Sequence, residues 1–212
     1  MGLKLYGPTL SPNVVRVIAV LNEKGLDFEL IPVDMKSGEH KKPEFLQINP
    51  FGQVPALEDG DIKLFESRAI CRYLATKYKE SGTDLLPAKT AAEMAATEIW
   101  LEVESQQFSQ PISKVCFELL IKPILGMVTD EEAAEKHATD AIKILDVYEA
   151  RLSQSKHLAG DEFTLADCNH MAWLNVLMMT KKACLVNDRP HLKAWWEIVS
   201  ARPAWQKTAA AK

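Results

Sequence analysis

The chain has 212 residues, 47% hydrophobic and 25% charged, with a formal net charge of −4. That balance predicts a soluble globular protein of one large or two small domains, and the negative sign gives a nucleic-acid partner no electrostatic support. The longest apolar run, Met171 to Met179, is broken by Asn175 and too short to span a bilayer. Cys71, Cys116, Cys168 and Cys184 show neither CxxC nor zinc spacing and suit a reducing compartment, so the expected location is cytoplasmic.

No basic-then-apolar leader precedes Leu3-Lys4-Leu5-Tyr6, which reads directly as a strand. Val14, Val17, Ile18 and Leu21 form a helical stripe ending at Gly25. Asp27 to Val33 is a second strand, which makes a parallel βαβ unit. After a charged loop, Asp59-Gly60 supplies the turn between Pro55–Glu58 and Ile62–Phe65. Val54-Pro55 stands at the entrance of the first of these strands, where a proline can begin a strand without donating to its ladder. It suits a tight turn, cis included, that faces backbone groups outward. Glu66-Ser67 then opens a helix with Ile70, Tyr73, Leu74 and Tyr78 on one face, and its first amides can hold a carboxylate. Residues 49–67 thus offer an extended peptide one backbone edge and one anion hole. The order βαβ-ββα, with Pro55 between the halves, predicts an α/β thioredoxin-like N-terminal domain over 1–80, with a linker near 79–89.

From Thr90 the strand signal ends, and an all-α C-terminal domain is expected over 90–212. Ala92, Ala95, Ile99 and Val103 give helical spacing, and Pro111 is expected to kink or break that helix. Thr129 to Glu132 reads as a capping box before Ala134, Ala138, Ile142, Leu145 and Leu152. Thr164-Leu165-Ala166-Asp167 is a second box, before a helix apolar nearly all round and therefore central. Pro190 opens a helix with Trp195 and Trp196, which Arg202-Pro203 ends.

Several of these segments together resemble the plant phi-class glutathione transferases. They are Ser11-Pro12-Asn13, Glu39-His40-Lys41, Asn49 to Pro55, Glu66 to Ile70, Leu158 to Asp161 and Thr164 to Asp167, in order over essentially the whole chain. The resemblance implies an enzyme that conjugates the thiolate of glutathione, its co-substrate, to hydrophobic electrophiles. Reduction of organic hydroperoxides is an expected side activity, and a homodimer is implied.

On its residues alone, Ser11-Pro12 reads as a helix N-cap, yet the same geometry stabilises a thiolate through a hydroxyl hydrogen bond and the helix dipole. The resemblance makes Ser11 the catalytic hydroxyl, and no cysteine nearby offers disulfide chemistry instead. Glutathione binding then falls to Glu66 and Ser67 at the γ-glutamyl end, to the Val54 backbone and Gln53 along the cysteinyl unit, and to His40 and Lys41 at the glycine carboxylate. Read without the resemblance, Glu66-Ser67 is a cap and His40-Lys41-Lys42 a solvated basic loop. Leu10, Pro12, Met35, Phe117 and Ile121 are expected to line a hydrophobic substrate pocket between the domains, with core packing as the alternative for each. Phe51 and Arg68 are candidates for dimer contacts. Cys168 and His170 lack a third ligand at suitable spacing, so no metal is expected. Two other readings compete: a ligandin-type carrier of flavonoids or other planar aromatics, and a structural module like that of a translation-factor subunit, which would continue into a further domain.

Overall fold

The computed structural model describes residues 2–210. They form two compact units, one holding the chain through Leu86 together with the segment from Arg202, the other Pro87–Ala201.

The first unit contains β1 (Leu3–Tyr6), α1 (Pro12–Glu23), β2 (Phe28–Ile31), a 3-10 turn (Glu39–Lys41), α2 (Pro43–Leu46), β3 (Ala56–Asp59), β4 (Ile62–Phe65) and α3 (Ser67–Lys77). The sheet order is β2-β1-β3-β4. β1 runs parallel to β2, with Leu5 opposite Leu30, and antiparallel to β3, with Leu5 opposite Leu57. β4 returns antiparallel to β3 across Gly60. This is the expected βαβ-ββα arrangement. It follows from alternation, since Leu3 and Leu5 are buried while Lys4 between them is exposed. The stripe of α1 (Val14, Val17, Ile18, Leu21) is likewise buried. At the hairpin, Asp59 Oδ2 accepts from Tyr73 and Tyr78 hydroxyls and Lys77 Nζ at 3.0, 2.7 and 2.7 Å, which ties the turn to α3.

The second unit begins with α4 (Ala91–Val103), whose N-cap Thr90 forms a capping box with Glu93. Pro111 does not break the helical run. The chain passes through a π turn (Glu104–Phe108) into α5 (Ser109–Cys116), then through a second π turn (Phe117–Ile121) into α6 (Lys122–Ile124). A helical proline clashes with the carbonyl four residues back. For Pro111 and Pro123 those carbonyls belong to Gln107 and Leu119, each inside a π turn whose wider loop accommodates the ring. Ala92, Ala95 and Ile99, apolar in helical spacing, lie on an exposed face of α4, while Thr97 and Leu101 are the buried ones.

α7 (Glu131–Leu152) starts one residue later than the predicted box. Asp130 is its N-cap and accepts from the Ala133 amide, because the Thr129 hydroxyl donates to the Glu118 carbonyl instead. α8 (Leu165–Met178) is the central helix, buried on nearly every side. Its Thr164–Asp167 capping box forms as expected, and Asp167 also accepts from the Leu158 amide and Trp195 Nε1. His170 Nδ1 lies 2.7 Å from the Ala166 carbonyl, so it donates there, and Nε2 accepts from the Tyr148 hydroxyl. Both imidazole nitrogens are thus engaged. α9 (Cys184–Asn187) and α10 (Pro190–Ser200) complete this unit.

Arg202-Pro203 ends α10 but also starts another helix, α11 (Pro203–Ala210). Proline is as suited to the first turn of a helix as to the end of one. α11 buries Trp205 and packs on α1, where Asn22 Nδ2 donates to Thr208 Oγ1 at 2.9 Å. Arg202 grips the Glu23 carboxylate at 2.6 and 2.7 Å. This segment therefore belongs with the first unit rather than with the helical half, where a 90–212 boundary puts it.

Candidate functional site

In the first unit a small polar cavity of about 60 Å³ is lined by Asn13, Asn49, Gln53, Val54, Pro55, Glu66, Ser67 and Arg68. Four of the predicted residues, Gln53, Val54, Glu66 and Ser67, are therefore brought together. The loop that carries them is built by Asn49, which is buried. Its Nδ2 donates to the Gln53 carbonyl at 2.7 Å and its Oδ1 accepts from the Phe51 amide at 3.0 Å. The Val54–Pro55 bond is cis. Among the described residues, Val54 makes no backbone hydrogen bond, so its N–H and C=O remain open to an extended partner.

Glu66 adopts φ +67°, the sole non-glycine residue in positive φ among those described. It is the N-cap of α3, but no side-chain cap bond forms, so capping does not account for the Glu66-Ser67 pair. A side chain held in that region costs of order 1–3 kcal/mol and points to a local purpose. The Ser67 hydroxyl accepts from the buried Arg16 Nη1 at 2.8 Å.

His40 and Lys41 do not line the cavity, but they are joined to its loop. Lys41 Nζ donates to the Phe51 carbonyl at 3.0 Å. Gly52, at φ +57°, lets the His40 carbonyl come so close that a Cβ would stand 2.6 Å from it. His40 Nδ1 is buried without a hydrogen-bond partner among the described residues.

Ser11 is the N-cap of α1 by position, with Pro12 at the first helical position. Its side chain makes no cap bond, so the hydroxyl at the start of this 12-residue helix is not committed to the cap. It precedes the cavity-lining Asn13 by two residues. Gly7, at φ +140°, brings this loop against the 54–55 segment, since a Cβ there would lie 3.1 Å from Val54 Cβ.

Of the residues expected to meet a hydrophobic substrate, none lines this cavity. Leu10 and Met35 are exposed and Pro12 is buried in the first unit; Phe117 and Ile121 bound the second π turn of the other unit, with Phe117 partly exposed. Asn13, Asn49, Pro55 and Arg68 line the cavity without having been assigned to ligand contact from the sequence. Asn13 and Asn49 were visible there only as members of the matching segments. Among the described residues, no group of three or more His, Cys, Asp or Glu side chains could hold a metal ion, and no helix is long and apolar enough to cross a membrane.

Family models place this geometry. Residues 1–76 match the glutathione S-transferase N-terminal domain and residues 108–203 the glutathione S-transferase C-terminal domain. The chain belongs to the glutathione S-transferase family. Within it, the chain groups with the plant phi class: it is 59% identical to glutathione S-transferase 3 of Zea mays over 99% of this chain and 94% of that protein. The apo structure of a glutathione S-transferase III superposes with a TM-score of 0.94 at 61% identity, covering 100% of this chain and 97% of the other. A glutathione S-transferase I from maize, solved with an atrazine glutathione conjugate, superposes at 0.93 and 44% identity, covering 99% and 97%.

Proposed function

We propose that this chain binds glutathione along residues 40–67 and transfers its sulfur, ionised with help from Ser11, to hydrophobic electrophiles. The observation that carries this reading is the Ser11 hydroxyl, placed at a helix N-terminus and unused by the cap. A free thiol of pKa ~8.5 is only about 3% thiolate at pH 7, and lowering it by roughly two units requires about 2.7 kcal/mol of preferential stabilisation. One charge-assisted hydrogen bond of ~1.5–3 kcal/mol together with a helix end is of that size. The thiolate then attacks an activated carbon, expelling halide or adding to a conjugated double bond. With a hydroperoxide it takes the terminal oxygen, an alcohol leaves, and a second glutathione converts the sulfenic acid to disulfide and water.

The open backbone of Val54 suits the cysteinyl unit in strand fashion. Ser67 and the first amides of α3 suit the γ-glutamyl carboxylate, with the Glu66 carboxylate for its ammonium. The unpartnered His40 nitrogen and Lys41 suit the glycine carboxylate. In the first unit, exposed Leu10 and Met35 suit contact with an apolar electrophile. Two copies form a homodimer in the cytoplasm; Phe51, 65% exposed, and the exposed apolar face of α4 support self-association.

Turnover of glutathione with a panel of aryl halide, isothiocyanate and hydroperoxide substrates tests the reading. Conjugation or hydroperoxide reduction supports it. Saturable flavonoid binding with no turnover on any class would favour the carrier reading instead.

A further inference from the structure

Arg16 is the one arginine inside the apolar stripe of α1, and it is fully buried. A guanidinium is seldom placed so deep unless its donors are engaged. Its Nη1 lies 3.0 Å from Asn13 Oδ1 and 2.8 Å from Ser67 Oγ, so one guanidinium nitrogen ties the first turn of α1 to the first residue of α3. Asn13 and Ser67 both line the polar cavity. The contact therefore joins two walls of that cavity from beneath.

A serine hydroxyl carries one donor hydrogen and two acceptor lone pairs, whereas a guanidinium only donates. Arg16 therefore occupies a lone pair of Ser67 and never its hydrogen. No hydrogen bond donated by Ser67 to another described residue is seen, so its O–H is left to point into the cavity as a donor. The same reasoning holds for Asn13, whose carbonyl oxygen is taken by Arg16, leaving the amide N–H groups as donors. A cavity wall whose acceptors are covered and whose donors face inward favours an anion.

We propose that Arg16 is a positioning residue for glutathione: it holds the Ser67 hydroxyl and the Asn13 amide as donors to the α-carboxylate of the γ-glutamyl unit. This rests on the reading of residues 66–67 as the γ-glutamyl site. The role belongs to recognition, so its loss raises the glutathione KM and spares the chemical step.

The test compares wild type with R16Q, R16K, S67A and S67A/R16Q in steady-state conjugation, with glutathione titrated calorimetrically in parallel. A second ligand is glutathione amidated at the γ-glutamyl α-carboxylate. R16Q is expected to raise the glutathione KM about tenfold while kcat and the electrophile KM change less than about twofold. R16K, which keeps charge but not the fork, should fall between. R16Q should add less than about twofold in the S67A background, and its penalty should vanish for the amidated ligand. An unchanged glutathione KM in R16Q, or full multiplication of the two effects, would overturn the proposal. So would an equal penalty with the amidated ligand. If R16Q does not fold, R16K and S67A/R16K carry the same comparison with the same outcomes. Wild type failing to bind glutathione at all would instead remove the site reading itself.

Discussion

A single hydroxyl and a single backbone angle set the candidate site apart from its surroundings. Ser11 could have spent its oxygen on the N-cap of α1, and Glu66 could have sat in relaxed backbone; neither does. Positive φ at Glu66 costs the fold something that a glycine would not pay. Glu66→Gly is therefore expected to leave stability unchanged or raise it by up to about 1 kcal/mol in urea unfolding. The same variant should weaken glutathione binding by calorimetry; tighter binding would remove Glu66 from the site. Gln53, Val54, Glu66 and Ser67, which line the cavity, could be picked out in the sequence because they stand in short, ordered segments shared with a family. Arg16 was not, since its partner Ser67 lies 51 positions away and only the fold brings them together.

Elements hold these residues in place through close approaches. The Asn49–Gln53 loop and the His40–Lys41 turn meet at Gly52, where a Cβ would also come within 2.9 Å of Lys41 Cδ. Gly52→Ala combines an unfavourable left-handed backbone with that collision, so a loss of about 1–3 kcal/mol in unfolding free energy is expected. Glutathione affinity should fall with it, because the turn carrying His40 must retreat; unaltered affinity would separate that turn from the ligand. Strand and helix order was legible because Leu3 and Leu5 alternate and Val14 to Leu21 recur at helical spacing. The 3-10 turn at Glu39–Lys41 and the four-residue α2 are too short to show any period. The π turns were hidden for another reason: one extra residue per turn leaves no mark in composition, and Pro111 argued for a break. Thr90-x-x-Glu93, which was not read as a capping box from the sequence, forms one at the start of α4.

For the whole molecule, buried charge decides how stability depends on pH. Burial would raise the Asp167 carboxyl, but the facing His157 imidazole and the Leu158 and Thr164 amides more than offset this and hold it below its ordinary value. A carboxyl depressed in the fold stabilises above its unfolded pKa, near 3.8, and loses that contribution as pH falls through its folded value. Asp167→Asn leaves buried donors without their charged acceptor, and a loss of about 2–5 kcal/mol at pH 7 is expected. Between pH 7 and pH 3 its unfolding free energy should also change less steeply than that of wild type; a parallel slope would assign acid sensitivity elsewhere. Two compact units were legible from the switch in period near Thr90, but not the return of α11 to the first, whose contacts through Trp205, Thr208 and the Arg202–Glu23 pair join residues far apart in sequence. The apolar face of α4 that predicted a core stripe is exposed in the single chain, which argues for a second copy. Light scattering behind size exclusion should give twice the 23.7 kDa chain mass, and a monomer at micromolar concentration would contradict it.

Ser11 is expected to ionise the sulfur of bound glutathione, and ultraviolet difference titration of thiolate absorbance, on saturated wild type and Ser11→Ala, measures that ionisation. Wild type should show the bound thiol titrating roughly two units below the free value, and Ser11→Ala should return it toward that value with glutathione still bound and conjugation down by about 10- to 100-fold. An identical titration in both proteins would rule Ser11 out as the group that ionises the sulfur.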